Sequence, residues 1–343
     1  MRQLLNTLYV TTPESYLSLE NENVVISKDE KCVAALPLIS LEGIEYFGYK
    51  GVSPALIGAC AEKGISLNFY KPNGAFRARV GHRDEGRQLA RRELYRAADD
   101  LARSSTAARG FILGKLVNSK RTIERARRDH PLRVDDAALA ACVSELAVLI
   151  GRMSAPLVVE EIRGIEGAAA KCYFRVFDQL ILANKEDFKF TGRSRRPPKD
   201  RINALLSFSY SLLANECASA LEANGLDPYM GLMHCSRAGR KSLALDLMEE
   251  LRSPICDRVA LAAINNRVIQ ATHFEQRQDG GVYLTEEGRR AFLSLWQKRK
   301  IEVVTHPFLK EKLQRGLLPH VQAKLLARWL RGDIDAYPPY LWR

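Results

Sequence analysis

No Cys-x-x-Cys pair occurs among the seven cysteines, at positions 32, 60, 142, 172, 217, 235 and 256, and their number is odd. That spacing indicates neither a zinc ribbon nor a disulfide framework, which fits a reducing cytosol. Long apolar runs are equally missing. The N-terminus Met1-Arg-Gln-Leu-Leu-Asn-Thr7 has too short an apolar stretch for a signal peptide, and no uninterrupted apolar segment of about 18 residues exists. A cytoplasmic chain with neither export nor membrane insertion is expected. The sequence also has no repeat of solenoid period and no low-complexity tract.

What is there is a globular composition, 46% hydrophobic and 8% aromatic over 343 residues, enough for two domains and a sizeable core. Its charge is uneven. Residues 1 to 80 carry eight basic and eight acidic side chains, so the whole net charge of +12 belongs to residues 81 to 343. Residues 81 to 130 alone hold 13 basic against 7 acidic groups, including Arg87, Arg91, Arg92, Arg121, Arg125, Arg127 and Arg128. A general solubility charge would not be confined to one region; a phosphate backbone is the usual partner of such a footprint.

Up to about residue 80 short β-rich runs alternate with turn residues: Leu8 to Thr11, Tyr16 to Glu20, Val24 to Ser27, Cys32 to Pro37, Ile44 to Tyr49, Ile65 to Tyr70 and Phe76 to Val80. Asn21-Glu-Asn23 and Pro72-Asn-Gly74 read as hairpin turns, and Ser53 to Lys63 reads as one helix ended by Gly64. Beyond residue 81 helical periodicity takes over, with helices predicted over 85–104, 107–129, 135–152, 155–184, 203–224, 242–251, 256–265 and 286–298. The expected fold is α+β: a small β-sandwich-like domain, residues 1–80, then a larger α-helical domain, residues 81–343. The stretch 184–201 holds Arg193, Arg195 and Arg196 beside Pro197-Pro198 and reads as a mobile basic loop over phosphate. Phe274 to Leu284 contains the Asp-Gly of a hairpin, and no chemistry is assigned to it.

Two stretches carry candidate chemistry. In the first, Gly231-Leu-Met-His-Cys-Ser-Arg-Ala-Gly-Arg-Lys241 leads into Ser242 to Leu251, where Asp246, Glu249 and Glu250 project opposite an apolar arc. An imidazole beside such acids can hold a hard divalent ion, yet on its own the pattern fits the solvated side of a surface helix better. In the second, Glu166 sits in a predicted helix with Gly164 and Gly167 nearby. Each glycine costs about 1 kcal/mol relative to Ala, so either close approach of a substrate or helix packing through Gly and Ala must explain them. A hydrolase using Cys235 or Ser236 beside His234 is not expected, because neighbours in a turn rarely present both side chains to one atom.

Together, Gly164-Ile-Glu-Gly-Ala-Ala-Ala-Lys, Arg196-Pro-Pro-Lys-Asp-Arg-Ile-Asn, Gly225-Leu-Asp-Pro-Tyr-Met-Gly-Leu-Met-His234 and Ser242-Leu-Ala-Leu-Asp-Leu-Met-Glu-Glu-Leu-Arg252 resemble the CRISPR adaptation integrase, CRISPR-associated protein one. The resemblance runs over nearly the whole chain, and the ending Tyr337-Pro-Pro-Tyr-Leu-Trp-Arg343 resembles members from type I, C-subtype systems. It implies a small β domain that mediates homodimerisation and a helical catalytic domain. It also implies a DNA endonuclease and integrase, dependent on Mn²⁺ or Mg²⁺, that inserts double-stranded fragments into a repeat array together with CRISPR-associated protein two. The implied metal ligands are Glu166, His234 and Glu249; many relatives have Asp at the third place, which leaves Asp246 as a supporting or alternative ligand.

A mixed oxygen and nitrogen set suits manganese better than magnesium. An ion there would stabilise charge on a phosphodiester attacked by a 3′-hydroxyl. Arg237, Arg240 and Lys241, in the turn after His234, are candidates to grip the scissile strand, unless they are simply solvated. The same site would serve a nuclease acting on branched or single-stranded DNA without integration, and strand-joined products separate the two. A non-catalytic DNA-binding scaffold would have no need of three candidate ligands.

Overall fold

The computed structural model describes residues 7–41, 43–70, 76–80, 88–235 and 237–342. The expected Pro72-Asn-Gly74 turn, Arg87 and Ser236 lie outside the described residues.

The first sheet is a meander of β2 (Tyr16–Glu20), β3 (Asn23–Lys28) and β4 (Lys31–Pro37). Its two-residue turns, Asn21-Glu22 and Asp29-Glu30, place all four residues at φ between 48 and 63°. This is the twist-matched hairpin geometry that Asn and Asp tolerate, and Asn21 announced the first turn. The second sheet runs β1 (Thr7–Val10), β5 (Gly43–Tyr46), β6 (Ser66–Tyr70), β7 (Phe76–Val80), with β1, β5 and β6 parallel and β7 antiparallel. Parallel neighbours need a crossover, and α1 (Pro54–Lys63) provides it between β5 and β6. Ser53 Oγ caps its start by accepting from Leu56 N at 3.2 Å, and Gly64 at φ 71° ends it. Leu17 and Val24 from one sheet pack with Ile44 and Leu67 from the other and with Leu56 and Cys60 of α1, so the two sheets share one core.

The rest of the chain is helical: α2 (Gln88–Asp99), α3 (Leu101–Asp129), α4 (Asp136–Arg152), α5 (Val159–Arg175), α6 (Arg201–Ala223), α7 (Ser242–Met248), α8 (Arg258–Asn265), α9 (Glu286–Lys300) and α10 (Leu318–Leu330). Three boundaries differ from the periodicity. The first expected helix divides at Asp100, whose carboxylate caps α3 by accepting from Ala102 N at 2.8 Å and Arg103 N at 3.1 Å. The expected 155–184 helix stops at Arg175. α7 stops at Met248, followed by a tight 3-10 turn over Glu249–Leu251 and a wide π turn over Arg252–Asp257. Two small hairpins complete the chain, β8 (Phe274–Gln276) with β9 (Val282–Leu284), and β10 (Val303–Thr305) with β11 (Lys312–Gln314). The first turns at Gly280, φ 71°, as Asp-Gly suggested.

α3, about 44 Å long at 1.5 Å per residue, is the axle of the helical core. Its Phe111, Ile112, Leu116 and Ile123 are fully buried with Leu205, Leu212 and Leu213 of α6. The β half docks on α6. Phe47 stacks on Tyr70 at 4.6 Å between ring centroids and reaches Phe208 at 6.4 Å; Asn215 donates to the Tyr70 hydroxyl, and Arg79 pairs with Glu222. Among the described residues no helix is long and apolar enough to cross a membrane.

Candidate functional site

Glu166 on α5, His234 in the loop before α7 and Glu249 just after α7 come together around Lys115 of α3. Arg163, one turn before Glu166, donates to the Met233 carbonyl and ties α5 to the His234 loop. Lys115 Nζ donates to Glu166 Oε1 and stands 2.9 Å from Glu249 Oε2. His234 Nε2 faces Glu249 Oε1 at 4.0 Å.

Asp246 shows why the imidazole points this way. Its carboxylate is completely buried; Oδ2 accepts from Leu232 N at 2.7 Å and Met233 N at 3.0 Å, and Oδ1 accepts from His234 N at 3.0 Å. Oδ1 also lies 2.6 Å from His234 Nδ1. With Nδ1–H donated to Asp246, the Nε2 lone pair is left facing Glu249. Asp246 thus folds the loop and orients the ring, and its oxygens are already committed.

The acidic arc expected on a solvated helix face is instead buried: Asp246 and Glu250 are 0% and Glu249 2% exposed. Burial would raise the Glu249 carboxyl, but Arg252 at 2.8 Å and Lys115 outweigh it and hold the group down at about 2. Glu166 is more open, a quarter exposed. Next to Lys115 a cavity of about 30 Å³ is lined by Ser119, Tyr173, Tyr210, Arg195, Arg252 and Asp257. Asp257 accepts from Tyr210 at 2.7 Å and Tyr173 at 3.0 Å, and burial pushes its carboxyl up to about 6.

The helix-packing explanation for the glycines around Glu166 fails, because a Cβ at Gly164 or Gly167 would meet nothing within 4 Å. The surface beside Glu166 is open to an incoming molecule.

The donor set fits a divalent ion of the manganese or magnesium kind: one free imidazole nitrogen and two carboxylates, one held charged, with an ammonium already standing between the carboxylates where a cation is favoured. Among the described residues no group of three His, Cys, Asp or Glu side chains is yet arranged to hold an ion. Lys115 separates Glu166 from Glu249 and would have to withdraw for the three to share one.

The basic candidates divide. Arg195 and Arg196 are exposed, and Arg195 reaches the cavity. Arg193 is half-buried and turned inward: its guanidinium donates to Asn203 Oδ1 at 2.6 Å and Ser207 Oγ at 3.2 Å and lies over the Tyr210 ring at 5.3 Å. The loop is accordingly not free. Lys199 N donates to Ser194 Oγ at 2.9 Å, and Val282 N of β9 donates to the Pro198 carbonyl at 2.8 Å, so the hairpin given no role buttresses the basic loop. Lys241 also turns inward, donating to Asn215 Oδ1 at 2.5 Å, and burial pushes its amine down to about 7. Arg237 is exposed and Arg240 half-buried.

Lys115, Arg252 and the Tyr210–Asp257 pair were not singled out from the sequence. Lys115 lies 51 residues before Glu166 with no local pattern to mark it, whereas Arg252 follows Glu249 by one turn, a spacing that signals a paired acid.

Fold and site define a class: an α+β protein with a small two-sheet N-terminal core and a helical body that gathers an oriented imidazole and two carboxylates next to exposed arginines. The family model for CRISPR associated protein Cas1 matches residues 8–298. A CRISPR-associated endonuclease Cas1 of Chlorobaculum tepidum is 47% identical over 343 residues, all of both chains. The chain belongs to the CRISPR-associated endonuclease Cas1 family. The fold is similar to a solved casposase bound to integration product, with TM-score 0.83, 20% identity, and coverage of 99% of this chain and 95% of that one. It is also similar to a chain of a Cas6-RT-Cas1–Cas2 complex, with TM-score 0.80, 22% identity, and coverage of 99% of this chain and 36% of that one.

Proposed function

We propose that this protein is the metal-dependent DNA endonuclease and integrase of CRISPR adaptation, joining the 3′-hydroxyl of a captured double-stranded fragment to a phosphodiester of the repeat array. The observation that carries the reading is the convergence of Glu166, His234 and Glu249, with Asp246 fixing the imidazole so that Nε2 faces Glu249 at 4.0 Å. Glu166, His234 and Glu249 would hold Mn²⁺ or Mg²⁺. When bound, such an ion supplies Lewis-acid stabilisation of charge on the phosphate and a lower pKa for the attacking or leaving oxygen.

The chain's own groups do the rest. Arg252 keeps Glu249 ionised, and Lys115 offsets the carboxylates until the ion arrives. Arg195, exposed and lining the cavity, is placed to meet the phosphate backbone, with exposed Arg196 and Arg237 and half-buried Arg240 as further candidates. In the joining step the 3′ oxygen forms the new bond to phosphorus as the bond to the leaving 3′ oxygen breaks, so the number of phosphodiesters is conserved. The casposase bound to integration product and the Cas6-RT-Cas1–Cas2 complex, both of like fold, support DNA and CRISPR-associated protein two as partners. Inserting both ends of a fragment calls for two sites, hence a homodimer, with residues 1–80, whose net charge is zero, as its contact. Sedimentation showing only the 38.5 kDa monomer at micromolar concentration would count against that.

The test is Glu166→Ala with the purified partner and a repeat-bearing plasmid. Both cleavage and joining should vanish while circular dichroism and DNA affinity stay parental; unchanged activity at saturating Mn²⁺ removes the assignment. Cleaved DNA with no joined product, from the parental protein, would instead favour the plain nuclease.

A further inference from the structure

We infer that the C-terminal segment Tyr337–Trp342 is a clamp that sets the position of Glu249, acting through its neighbour Glu250. The inference rests on the metal-site reading above and adds positioning residues to it.

Glu249 opens a stretch of backbone that does not wind regularly, a 3-10 turn followed by a π turn. Pro254 is the cause visible in the sequence: having no N–H, it cannot bond the carbonyl four residues earlier, which belongs to Glu250. That carbonyl accepts instead from Asn118 Nδ2 of α3, at 2.7 Å. A segment lacking its full internal ladder takes its direction from outside partners.

Those partners are largely the tail. Glu250 is completely buried; its Oε1 accepts from the Tyr337 hydroxyl and from Gln322 Nε2 at 2.8 Å, and its Oε2 accepts from Tyr340 N at 2.6 Å. Asn118 closes the circuit, since Nδ2 also donates to the Tyr340 carbonyl at 2.7 Å and Oδ1 accepts from Trp342 N at 2.8 Å. The Trp342 ring is held by Arg258, 4.3 Å from its centroid, and by Arg125 at 5.6 Å. α3 is cut away to admit this assembly: a Cβ at Gly110 would sit 3.0 Å from Tyr337 Cδ1, and one at Gly114 would sit 2.6 Å from Glu250 Cβ. Adjacent acids thus face opposite ways, Glu250 into the tail and Glu249 into the site, so anchoring one aims the other.

The test uses the full-length protein with Mn²⁺ itself as probe, its free concentration followed by electron paramagnetic resonance. Tyr337→Phe removes one hydroxyl and keeps the ring; Glu250→Gln is the second variant. Outer partners of a ligand typically contribute 10- to 100-fold in affinity, so Kd for Mn²⁺ should rise on the order of 10-fold in each, with the joining rate restored at saturating Mn²⁺ and DNA affinity unchanged. Ile44→Val, in the β core, serves as a control for general loosening and should leave the Mn²⁺ Kd parental. An unchanged Kd in both Tyr337→Phe and Glu250→Gln, or an equal rise in the control, overturns the clamp alone. Failure of the parental protein to bind Mn²⁺ overturns the metal site and the clamp with it.

Discussion

Replacing Lys115 by Met keeps the length of the side chain and removes the ammonium that bonds Glu166 and lies 2.9 Å from Glu249. Removing one partner of a fully buried ion pair costs about 3–5 kcal/mol. Here the loss is smaller, because Glu249 keeps Arg252 at 2.8 Å and Glu166 is 26% exposed to screening water. A loss of about 2–3 kcal/mol in metal-free stability is expected. The same ammonium competes with a divalent ion for the two carboxylates. What it contributes to the metal-free protein an ion must displace, so Lys115→Met should bind Mn²⁺ tighter by the same 2–3 kcal/mol, about 30- to 150-fold. Urea unfolding in chelator and in saturating Mn²⁺, with calorimetric titration, reads both quantities: the variant should be weaker than the parent in chelator and level with it in Mn²⁺. An equal deficit under the two conditions, with unchanged Mn²⁺ affinity, would refute the idea that ammonium and ion share one place.

Three further outcomes are expected. Asp246→Asn should weaken Mn²⁺ binding by about 10- to 100-fold, because the imidazole loses its charged anchor; parental affinity by titration would return Asp246 to a purely structural role. Arg195→Ala with Arg196→Ala should flatten the log-log salt dependence of duplex binding by about 0.9 for each phosphate no longer neutralised, whereas Arg193→Ala should lower stability and leave that slope alone; a parental slope in the double variant would move the DNA path elsewhere. Glu45→Gln addresses pH: burial pushes the Glu45 carboxyl up to about 7 despite its bonds to Tyr70 and Asn68. Its native pKa lies above the unfolded one, so the native state holds more protons between these values and stability falls as pH rises through them. The difference is worth about 3 kcal/mol at roughly 1.4 kcal/mol per pH unit, so the variant should gain on the parent by up to that amount between pH 5 and pH 8 in urea midpoints; parallel pH profiles would refute it.

The elements were legible where the signal is local. Period-2 strands and Asn21 marked the β2–β3 hairpin, and Ser53, Pro54 and Gly64 bracketed α1. Register was not, because the parallel pairing of β1, β5 and β6 depends on the path of the crossover and leaves no trace in alternation. The helix over Leu318–Leu330 went unread, as did the inward turn of Arg193 and Lys241. For both basic side chains the partner, Asn203 or Asn215, sits on α6, and a charge count cannot tell a solvated arginine or lysine from one that braces a loop.

Asp246, Glu249 and Glu250 show where local reasoning stops. Projected on an ideal helix the three acids share one face, and a shared polar face means solvent. Each instead meets a different remote group. Asp246 is spent on the N–H groups of Leu232, Met233 and His234, Glu249 on Lys115 and Arg252, and Glu250 on Tyr337, Gln322 and Tyr340. The projection passed over a residue plainly visible in the sequence, Pro254, whose missing N–H leaves the Glu250 carbonyl to Asn118 within the irregular stretch that begins at Glu249. A proline five residues past a candidate ligand is therefore evidence about that ligand: it says that the carboxylate stands on irregular backbone, and that whatever aims it must be sought elsewhere in the chain.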